Sequence, residues 1–213
     1  MIPKDLLCEM IDLGFVIKNK HPTEELYIYN YTQKAQFDRV WNEITLTCRG
    51  LILDENYKII ARPFAKFFNL GEYENQEIRN LKFDVFEKID GSLGILYFHK
   101  NEAFMASRGS FNSDQSIKAN ELLNSKYSDC LEKLDQTKTY LFEIIYPENR
   151  IVLDYGSEEF LVFFTQSKNS SGTFSKTSSN GCSVFRYSQM LMLDTCVMIL
   201  CKRKYSENLI FNR

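Results

Sequence analysis

The 213-residue sequence is poor in histidine, contains no CxxC pair and has no strong excess of charge of either sign. With only two histidines, His21 and His99, and six cysteines at irregular spacing, a zinc site and a disulfide framework are both disfavoured. The formal net charge of -2 gives no global basic field of the kind that marks many nucleic-acid-binding proteins. A local basic groove is still compatible with this total, because the placement of charges matters more than their sum.

We expect neither a secretory leader nor a membrane-spanning segment from the sequence. Its first residues, MIPKDLLCEMIDLGF, contain Asp and Glu where a signal peptide would have a basic start and then an apolar run. The apolar stretch MLMLDTCVMILC is too short to cross a bilayer and contains Asp194. Hydrophobic residues make up 44% of the chain and charged residues 25%, as in ordinary globular proteins. We therefore expect a cytoplasmic protein with one sizeable core.

The spacing of apolar residues predicts an α+β protein with an antiparallel sheet. Strands occur in clusters with helices inserted between them, which is typical of this fold class. The segment 167–183 is rich in Ser, Thr, Asn and Gly and is predicted to be a loop. Helices are predicted at 3–13, 36–44 and 113–134, and strands at 26–32, 51–54, 58–63, 82–89, 93–99, 103–107, 139–146 and 160–165.

The stretch FEKIDGSLGILYF places a lysine, Lys88, between apolar neighbours just before the predicted turn Asp90-Gly91. A lysine amine is a nucleophile only when neutral, and its reference pKa is about 10.4, so it must be desolvated or lie near other cations. The apolar surroundings of Lys88 fit this need, and a glycine lets the backbone approach a ligand closely. The alternative is an exposed lysine on an edge strand, and K-x-D-G alone is too short to decide.

Four further charged residues lie in distinctive stretches. Arg49 in TCRGLILD, Lys66 in RPFAKFFNLGE and Arg108 in SRGSFN are cations that can neutralise phosphates and lower the pKa of Lys88. Glu143 in LFEIIYPENRIVLDY falls inside an apolar predicted strand, where an unpaired carboxylate would cost roughly several kcal/mol. Taken singly, the arginines can be surface charges and Glu143 can belong to a buried ion pair.

Together and in this order, these motifs resemble one family. TCRG, RPFAKFFNLGE, EKIDGSLG, SRGSFN and FEIIYPENRIV are similar to the successive motifs of ATP-dependent RNA ligases of the T-even phage RNA ligase 1 type, the tRNA-repair ligases. K-x-D-G is shared by the whole covalent nucleotidyltransferase superfamily, whereas the second and last motifs are more specific to this type. The resemblance covers about residues 47–172, with FFTQSKNSSGTF (163–174) as a weaker match. It implies an α+β nucleotidyltransferase domain, an ATP-grasp-like ligase adenylation fold with antiparallel sheets and packed helices.

The resemblance also implies a reaction. Lys88 would attack the α-phosphate of ATP to give lysyl-AMP and pyrophosphate, AMP would pass to an RNA 5′-phosphate, and a 3′-hydroxyl would displace it. Magnesium would be required, because the polyphosphate charge must be neutralised as pyrophosphate leaves. RNA ends, those of tRNA among them, would be the partners in an RNA-repair role, in an intracellular protein of viral, phage or other origin.

The resemblance also implies a role for each residue singled out in these motifs, whereas it assigns no metal ligands. Arg49 and Lys66 would lie near the nucleotide phosphates and Phe68 against the nucleoside. Glu143 would lie near the ribose. The full implied nucleotide-binding set is Arg49, Lys66, Phe68, Asp90, Gly91, Arg108 and Glu143, with Asp90 and Gly91 shaping the loop after the nucleophile.

The resemblance weakens toward the end of the sequence. We expect one nucleotidyltransferase domain over 1–213, with core motifs at 47–174, a diverged tail at 175–213 and no helical C-terminal specificity domain. In NGCSVFRY, Asn180 stands where the family has Glu, and either Lys202 and Lys204 form the last K-x-K motif or that motif is lost. Two functions therefore stay open: an RNA ligase or adenylyltransferase, impaired in sealing, and a degenerate nucleotide- or RNA-binding module. A DNA ligase or capping enzyme is disfavoured by RPFAKFFN and PENRIV.

Overall fold

The computed structural model describes residues 2–69, 72, 89–175 and 186–187, which form two sheets and five helices. The helices are α1 (Lys4–Asp12), α2 (Gln33–Phe37), α3 (Glu43–Thr47), α4 (Asp114–Lys126) and α5 (Ser128–Leu131), and Pro147–Asn149 is a 3₁₀ turn. The strands are β1 (Val16–Lys20), β2 (Leu26–Tyr31), β3 (Arg49–Asp54), β4 (Ile59–Ala61), β5 (Ser92–His99), β6 (Glu102–Ser107), β7 (Lys138–Ile145), β8 (Phe160–Lys168), β9 (Phe174–Ser175) and β10 (Arg186–Tyr187).

The first sheet has the order β1-β2-β3-β4, with every pair antiparallel. Helices α1 and α3 pack on it through an apolar core that includes Leu7, Ile44 and Leu51. Helix α3 begins at a capping box, because the Asn42 side chain accepts hydrogen bonds from the backbone of Ile44 and Thr45, both at 3.0 Å. The short helix therefore has a fixed start, and the chain enters β3 directly after it.

The second sheet has the order β10-β8-β7-β5-β6, and β9 also pairs with β8. Its pairs are antiparallel except β10 with β8, which is parallel. Helix α4 covers one face, where Asn120 donates to the carbonyl of Met105 at 2.8 Å and accepts from its N–H at 2.9 Å. The Asn120 amide thus bonds the N–H and the carbonyl of Met105 as a neighbouring strand would, and it fixes the helix to β6.

The two sheets face each other across a shared apolar core that contains Ile28, Ile52 and Ile95. Gly50 lies at this junction with φ +90°, and a Cβ there would stand 2.5 Å from Ile95 Cδ1 and 3.0 Å from the carbonyl oxygen of Arg108. Only glycine fits both the backbone conformation and the space. The glycine of the TCRG motif thus brings the start of β3 against the end of β6.

The observed architecture agrees with the predicted α+β class, and several predicted elements are confirmed. Helix α1, strand β2, strand β7 and the β5–β6 hairpin lie where the pattern indicated, and the hairpin turns at Lys100 and Asn101 with φ of 51° and 69°. Residues 82–88 of one predicted strand lie outside the described residues. In the part of the chain that is described, every helix is too short or too polar to cross a bilayer.

Other predicted elements are wrong. The single helix at 36–44 is two helices, α2 and α3, because Arg39 adopts φ 52° and Asn42 caps a new helix. The helix at 113–134 ends at Lys126, strand β1 was not predicted, and β9 lies in a segment predicted as loop. Cys130 takes part in a disulfide bond, which the irregular cysteine spacing did not indicate.

Candidate nucleotide-binding site

Two cations from other segments, Lys66 and Arg108, each lie within electrostatic range of Arg49, and the three form a cation cluster. Burial lowers the pKa of Arg49; Tyr31 and Glu143 act to raise it, and repulsion from Arg108 lowers it further. Burial also lowers the pKa of Lys66. The Glu72 carboxylate acts to raise this pKa, and repulsion from Arg49 acts to lower it. Like charges gathered in this way repel each other, so the cluster favours an anion between them.

Arg49 carries unmet hydrogen-bonding capacity. Its Nη1 atom is buried and has no hydrogen-bond partner among the described residues, and neither has the buried Oδ1 of Asn30, its neighbour in the β2–β3 register. The Arg49 guanidinium stacks on the ring of Phe67, with Cζ 4.9 Å from the centroid. A buried donor without a partner is costly in the absence of a ligand. The guanidinium therefore suits a phosphate, which its planar fork can bind through two N–H groups.

Aromatic rings hold the cations of the cluster in place. Trp41 packs edge-on against Tyr31 and against Phe68, with ring centroids 5.3 Å apart in each pair. Lys66 Nζ lies 4.1 Å from the Phe68 ring centroid, and Arg108 Cζ lies 5.8 Å from that of Tyr31. A ring face attracts a cation without neutralising its charge, so the cluster keeps its positive potential.

Lys66 is also fixed by the backbone. Its Nζ donates to the carbonyl oxygen of Phe67 at 2.6 Å, and its own N–H donates to the carbonyl of Leu46 at 2.7 Å. Glu72 Oε1 lies 3.7 Å from Nζ, and the Glu72 side chain is 37% exposed. An ion pair this long at a partly exposed position contributes little, so most of the charge of Lys66 is left for a ligand.

Gly91 and Glu143 form the wall beside the cluster. The Gly91 N–H donates to Glu143 Oε1 at 2.8 Å, and Glu143 is 8% exposed in the middle of the apolar strand β7. A Cβ at residue 91 would stand 2.5 Å from the carbonyl oxygen of Ile144 and 2.6 Å from Ile145 Cδ1. The glycine of K-x-D-G thus packs directly against β7. Its N–H donates a hydrogen bond to the buried Glu143 carboxylate, which lowers the cost of burying that charge.

Asp90 connects the same loop to the turn that follows PENR. Its Oδ2 accepts hydrogen bonds from the backbone of Val152 at 2.6 Å and of Leu153 at 3.0 Å. The Asp90 N–H donates to the hydroxyl of Tyr155 at 2.9 Å. These contacts of the Asp90 carboxylate are with protein backbone, so they fix the position of the loop.

The structure brings together most of the residues that the sequence singled out, and Lys88 lies just outside the described residues. Asn180, Lys202 and Lys204 also lie outside them, so their roles stay predictions. Sequence reasoning missed Tyr31 and Trp41, which no local motif marks because their partners are distant in the chain. In the described ranges no group of three or more His, Cys, Asp or Glu side chains could hold a metal ion.

Comparison with known proteins identifies the family. A family model described as RNA ligase, of the T4 RNA ligase 1 type, matches residues 47–197. The chain belongs to this RNA ligase family. A relative named "Putative bifunctional polynucleotide kinase/RNA ligase" from Autographa californica nuclear polyhedrosis virus is 30% identical over 186 residues, which is 75% of this chain and 26% of that protein.

Two further proteins show the breadth of the match. An "RNA ligase" of Rhodothermus phage RM378 is 28% identical over 184 residues, 67% of this chain and 40% of its own length. A solved structure titled "Putative ATP-dependent DNA ligase from Aquifex aeolicus" superposes with a TM-score of 0.54 at 16% identity, over 80% of this chain and 44% of that one. The family member described here thus has a ligase-type nucleotidyltransferase fold, and it spans about a quarter to two fifths of these curated relatives.

Proposed function

We propose that this chain is the adenylating unit of an ATP-dependent RNA ligase, with Lys88 as the nucleophile. The observation that carries the proposal is the buried, unpartnered Nη1 of Arg49 inside a cluster of three cations, beside the loop that follows K-x-D-G. A site with free donors and a positive potential suits the triphosphate of a nucleotide. Membership of the RNA ligase family supports the choice of reaction.

In the first step, the neutral amine of Lys88 attacks the α-phosphorus of ATP. A P–N bond forms, the α–β phosphoanhydride bond breaks, and pyrophosphate leaves with the bonding electron pair while the amine loses a proton. Arg49 and Lys66 would bind the phosphates, and their charge would also favour the neutral form of Lys88. The fixed Gly91–Glu143 wall would hold the loop so that the amine lies in line with the leaving group.

The later steps transfer AMP to RNA. An oxygen of an RNA 5′-phosphate attacks the lysyl-AMP phosphorus, which restores Lys88 and forms a pyrophosphate linkage, and a 3′-hydroxyl then displaces AMP to leave a phosphodiester. Magnesium would neutralise charge on the leaving group. The described side chains contain no cluster of metal ligands, so we assign none of them to an ion.

The test is transfer of label from ATP radiolabelled at the α-phosphate to the protein, followed on a denaturing gel. The unaltered chain should become labelled, whereas Lys88→Ala and Lys88→Arg should not, since a guanidinium stays protonated and cannot attack. Lys133→Ala, at an exposed position, is the matched control and should label normally. Mass spectrometry that places AMP on a residue other than Lys88 would overturn the assignment.

A second candidate, a nucleotide- or RNA-binding module that completes no ligation, is favoured by Asn180 in the place of the family glutamate. This candidate predicts ATP binding without any labelled protein. Our proposal predicts labelling together with poor sealing of RNA ends, and a rate that rises in Asn180→Glu. Efficient joining of RNA ends that does not depend on Lys202 or Lys204 would contradict our interpretation of the tail.

A further inference from the structure

A cavity of about 880 Å³ opens between the two sheets, away from the cation cluster. Its walls are the β3–β4 turn and β4 at 55–60, the start of α1, the end of β5, and the segments 136–137 and 168–170. Its volume falls within the range of ligand-binding cavities, roughly 300–1,000 Å³. None of the residues assigned above to ATP or to Lys88 chemistry lines it.

The cavity lies at the opposite end of the strands that build the nucleotide site. Strand β3 begins at Arg49 in the cation cluster and runs to the turn that lines the cavity. Strand β5 begins beside Gly91 and reaches the cavity at Phe98. At about 3.3 Å per residue, the six steps along β5 separate the two sites by roughly 20 Å. A group bound in the cavity is therefore distinct from a nucleotide bound at the Arg49 cluster.

The cavity is basic although the whole chain is weakly acidic. Lys4, Lys58 and Lys168 line it, and among the described residues of its wall Glu55 is the one that is acidic. None of these three lysines forms an ion pair with another residue of the described ranges. An excess of positive charge without partners marks an anion-binding surface on a chain of net charge -2.

An aromatic residue stands at the cavity in an unusual backbone conformation. Tyr57 adopts φ +62°, which is rare for a bulky side chain, and its N–H donates to the carbonyl of Asp54 at 3.1 Å. Lys4 Nζ lies 4.8 Å from the centroid of the Tyr57 ring. Glycine or asparagine would fill such a turn position with less strain. The tyrosine thus places a ring beside a lysine on the cavity wall, where a base can stack.

The walls of the cavity are held rigidly by hydrogen bonds between the sheets. Asn169 donates from Nδ2 to the carbonyl of Ile60 at 2.7 Å and accepts from Thr139 Oγ1 at 2.6 Å. The Arg62 N–H donates to the same hydroxyl of Thr139 at 2.9 Å. The cavity is therefore formed before any ligand binds, and little ordering is required on binding.

We propose that this cavity binds the sugar-phosphate backbone of single-stranded RNA, with phosphates on Lys4, Lys58 and Lys168 and a base against Tyr57. Lysines spread over separate wall segments fit a repeating polyanion better than one small anion. An aromatic ring between them fits a strand with unpaired bases. The choice of RNA rests on the proposed function, whereas binding of a polyanionic strand rests on the cavity alone.

The test compares two triple variants of equal charge change. Lys4→Ala/Lys58→Ala/Lys168→Ala removes the cavity lysines, and Lys18→Ala/Lys126→Ala/Lys133→Ala removes three exposed lysines elsewhere. Binding of a fluorescent oligoribonucleotide is measured by anisotropy over a salt series. Three lost contacts at about 0.7 each should reduce the slope of log Kd against log salt by about two, which weakens binding about 100-fold at about 0.1 M salt.

Equal losses in both triple variants, or no loss in the cavity variant, would overturn the proposal. Tyr57→Gly relieves the backbone strain but removes a ring that packs partly on the core of the first sheet. At a temperature where this variant is folded, it should bind RNA about 10-fold more weakly than the unaltered chain. Tyr57→Phe keeps the ring and should bind normally. RNA binding by folded Tyr57→Gly that matches the unaltered chain would assign the ring a purely structural role, contrary to our proposal.

Labelling with ATP alone separates this proposal from the proposed function. The cavity variant should still form lysyl-AMP, because its lysines lie roughly 20 Å from the nucleotide site by the strand spacing. If the unaltered chain is never labelled by ATP, but the cavity variant binds RNA more weakly than the unaltered chain, the proposed function fails and the cavity proposal stands. If the unaltered chain is labelled and the cavity variant binds RNA as tightly as the unaltered chain, the proposed function stands and the cavity proposal fails.

Discussion

Replacing Gly91 with alanine adds one methyl group at the most crowded point beside the cation cluster. The new Cβ would stand 2.5 Å from the carbonyl oxygen of Ile144, 2.6 Å from Ile145 Cδ1 and 3.0 Å from Glu143 Cγ. Ordinary contacts begin near 3.4 Å, so the loop must move away from β7 by about 1 Å. The methyl carbon of Ile145 can turn aside, but the strand carbonyl cannot, because it belongs to a central strand of the sheet.

That displacement has two energetic consequences. The hydrogen bond from the Gly91 N–H to Glu143 Oε1, now 2.8 Å, would stretch or break and leave a buried carboxylate short of a donor. A hydrogen bond to a charged group contributes about 1.5–3 kcal/mol. Overpacking adds about 1–3 kcal/mol, so we expect Gly91→Ala to lower the free energy of unfolding by about 3–5 kcal/mol.

The loop shift should also move Lys88, three residues earlier in the chain, out of line with the α-phosphorus. A misplacement of about 1 Å can cost about 100-fold in rate, so adenylation should fall by at least that factor at temperatures where the variant is still folded. Urea unfolding and label transfer from ATP measure the two effects. Gly109→Ala is the control, because its Cβ would meet nothing within 4 Å. Our account of the Gly91–Glu143 wall fails if Gly91→Ala matches Gly109→Ala in both measurements.

Substitutions at three other residues test contacts in the cation cluster, in the Asp90 loop and at the β5–β6 turn. Arg49→Met keeps the packing on Phe67 and removes an unpartnered buried donor together with the hydrogen bond to Tyr31, so stability should fall by no more than about 1.5 kcal/mol while label transfer from ATP falls sharply; a larger loss of stability would contradict this. Asp90→Ala strips the acceptor from two backbone N–H groups and should destabilise the fold by about 2–3 kcal/mol in urea, with Asp90→Asn less damaging; equal effects would show that the charge is unimportant. The Lys100 ammonium and then His99, both hydrogen-bonded to Glu24, hold the pKa of that carboxyl below its ordinary value of 4.5. The contribution of this carboxylate is therefore present above about pH 4.5 and lost as the pH falls through the lower folded value, so Glu24→Gln should flatten the acid limb of the stability profile measured by thermal unfolding.

The sequence indicated much of the cation cluster because its members break local patterns. Glu143 is conspicuous as a carboxylate within an apolar run, and Arg49 directly precedes one. Burying a charged residue within an apolar strand costs free energy unless the residue is paired or belongs to a functional site. Its position therefore points to such a site before the fold is known. The same logic explains why Lys88 was singled out, although the described residues begin again only at Ile89.

Other parts of the molecule could not be predicted from local patterns. Tyr31 and Trp41 meet the cations only after β2, α3 and the segment containing Phe68 have folded together. The lysine cavity is assembled from the start of α1, one hairpin turn, the segment 136–137 and the ends of two other strands, so its members are up to about 170 positions apart. An exposed lysine in a turn has the same local appearance whether it lines a cavity or faces solvent. Tertiary context decides such cases, and the periodicity of a sequence does not record it.

The cations of the nucleotide site are held differently from the ion-paired lysines of the surface. Lys20 lies 2.6 Å from a carboxylate oxygen of Glu25, and Lys118 lies 2.7 Å from one of Glu159. In the cluster, aromatic rings and a backbone carbonyl hold Arg49 and Lys66, and the Glu72 carboxylate stands 3.7 Å from Lys66. A carboxylate partner would cancel the field that a polyphosphate needs, whereas a ring does not. The free protein therefore tolerates a desolvated, incompletely bonded arginine, and an anion that supplies the missing acceptor would recover that cost only when bound.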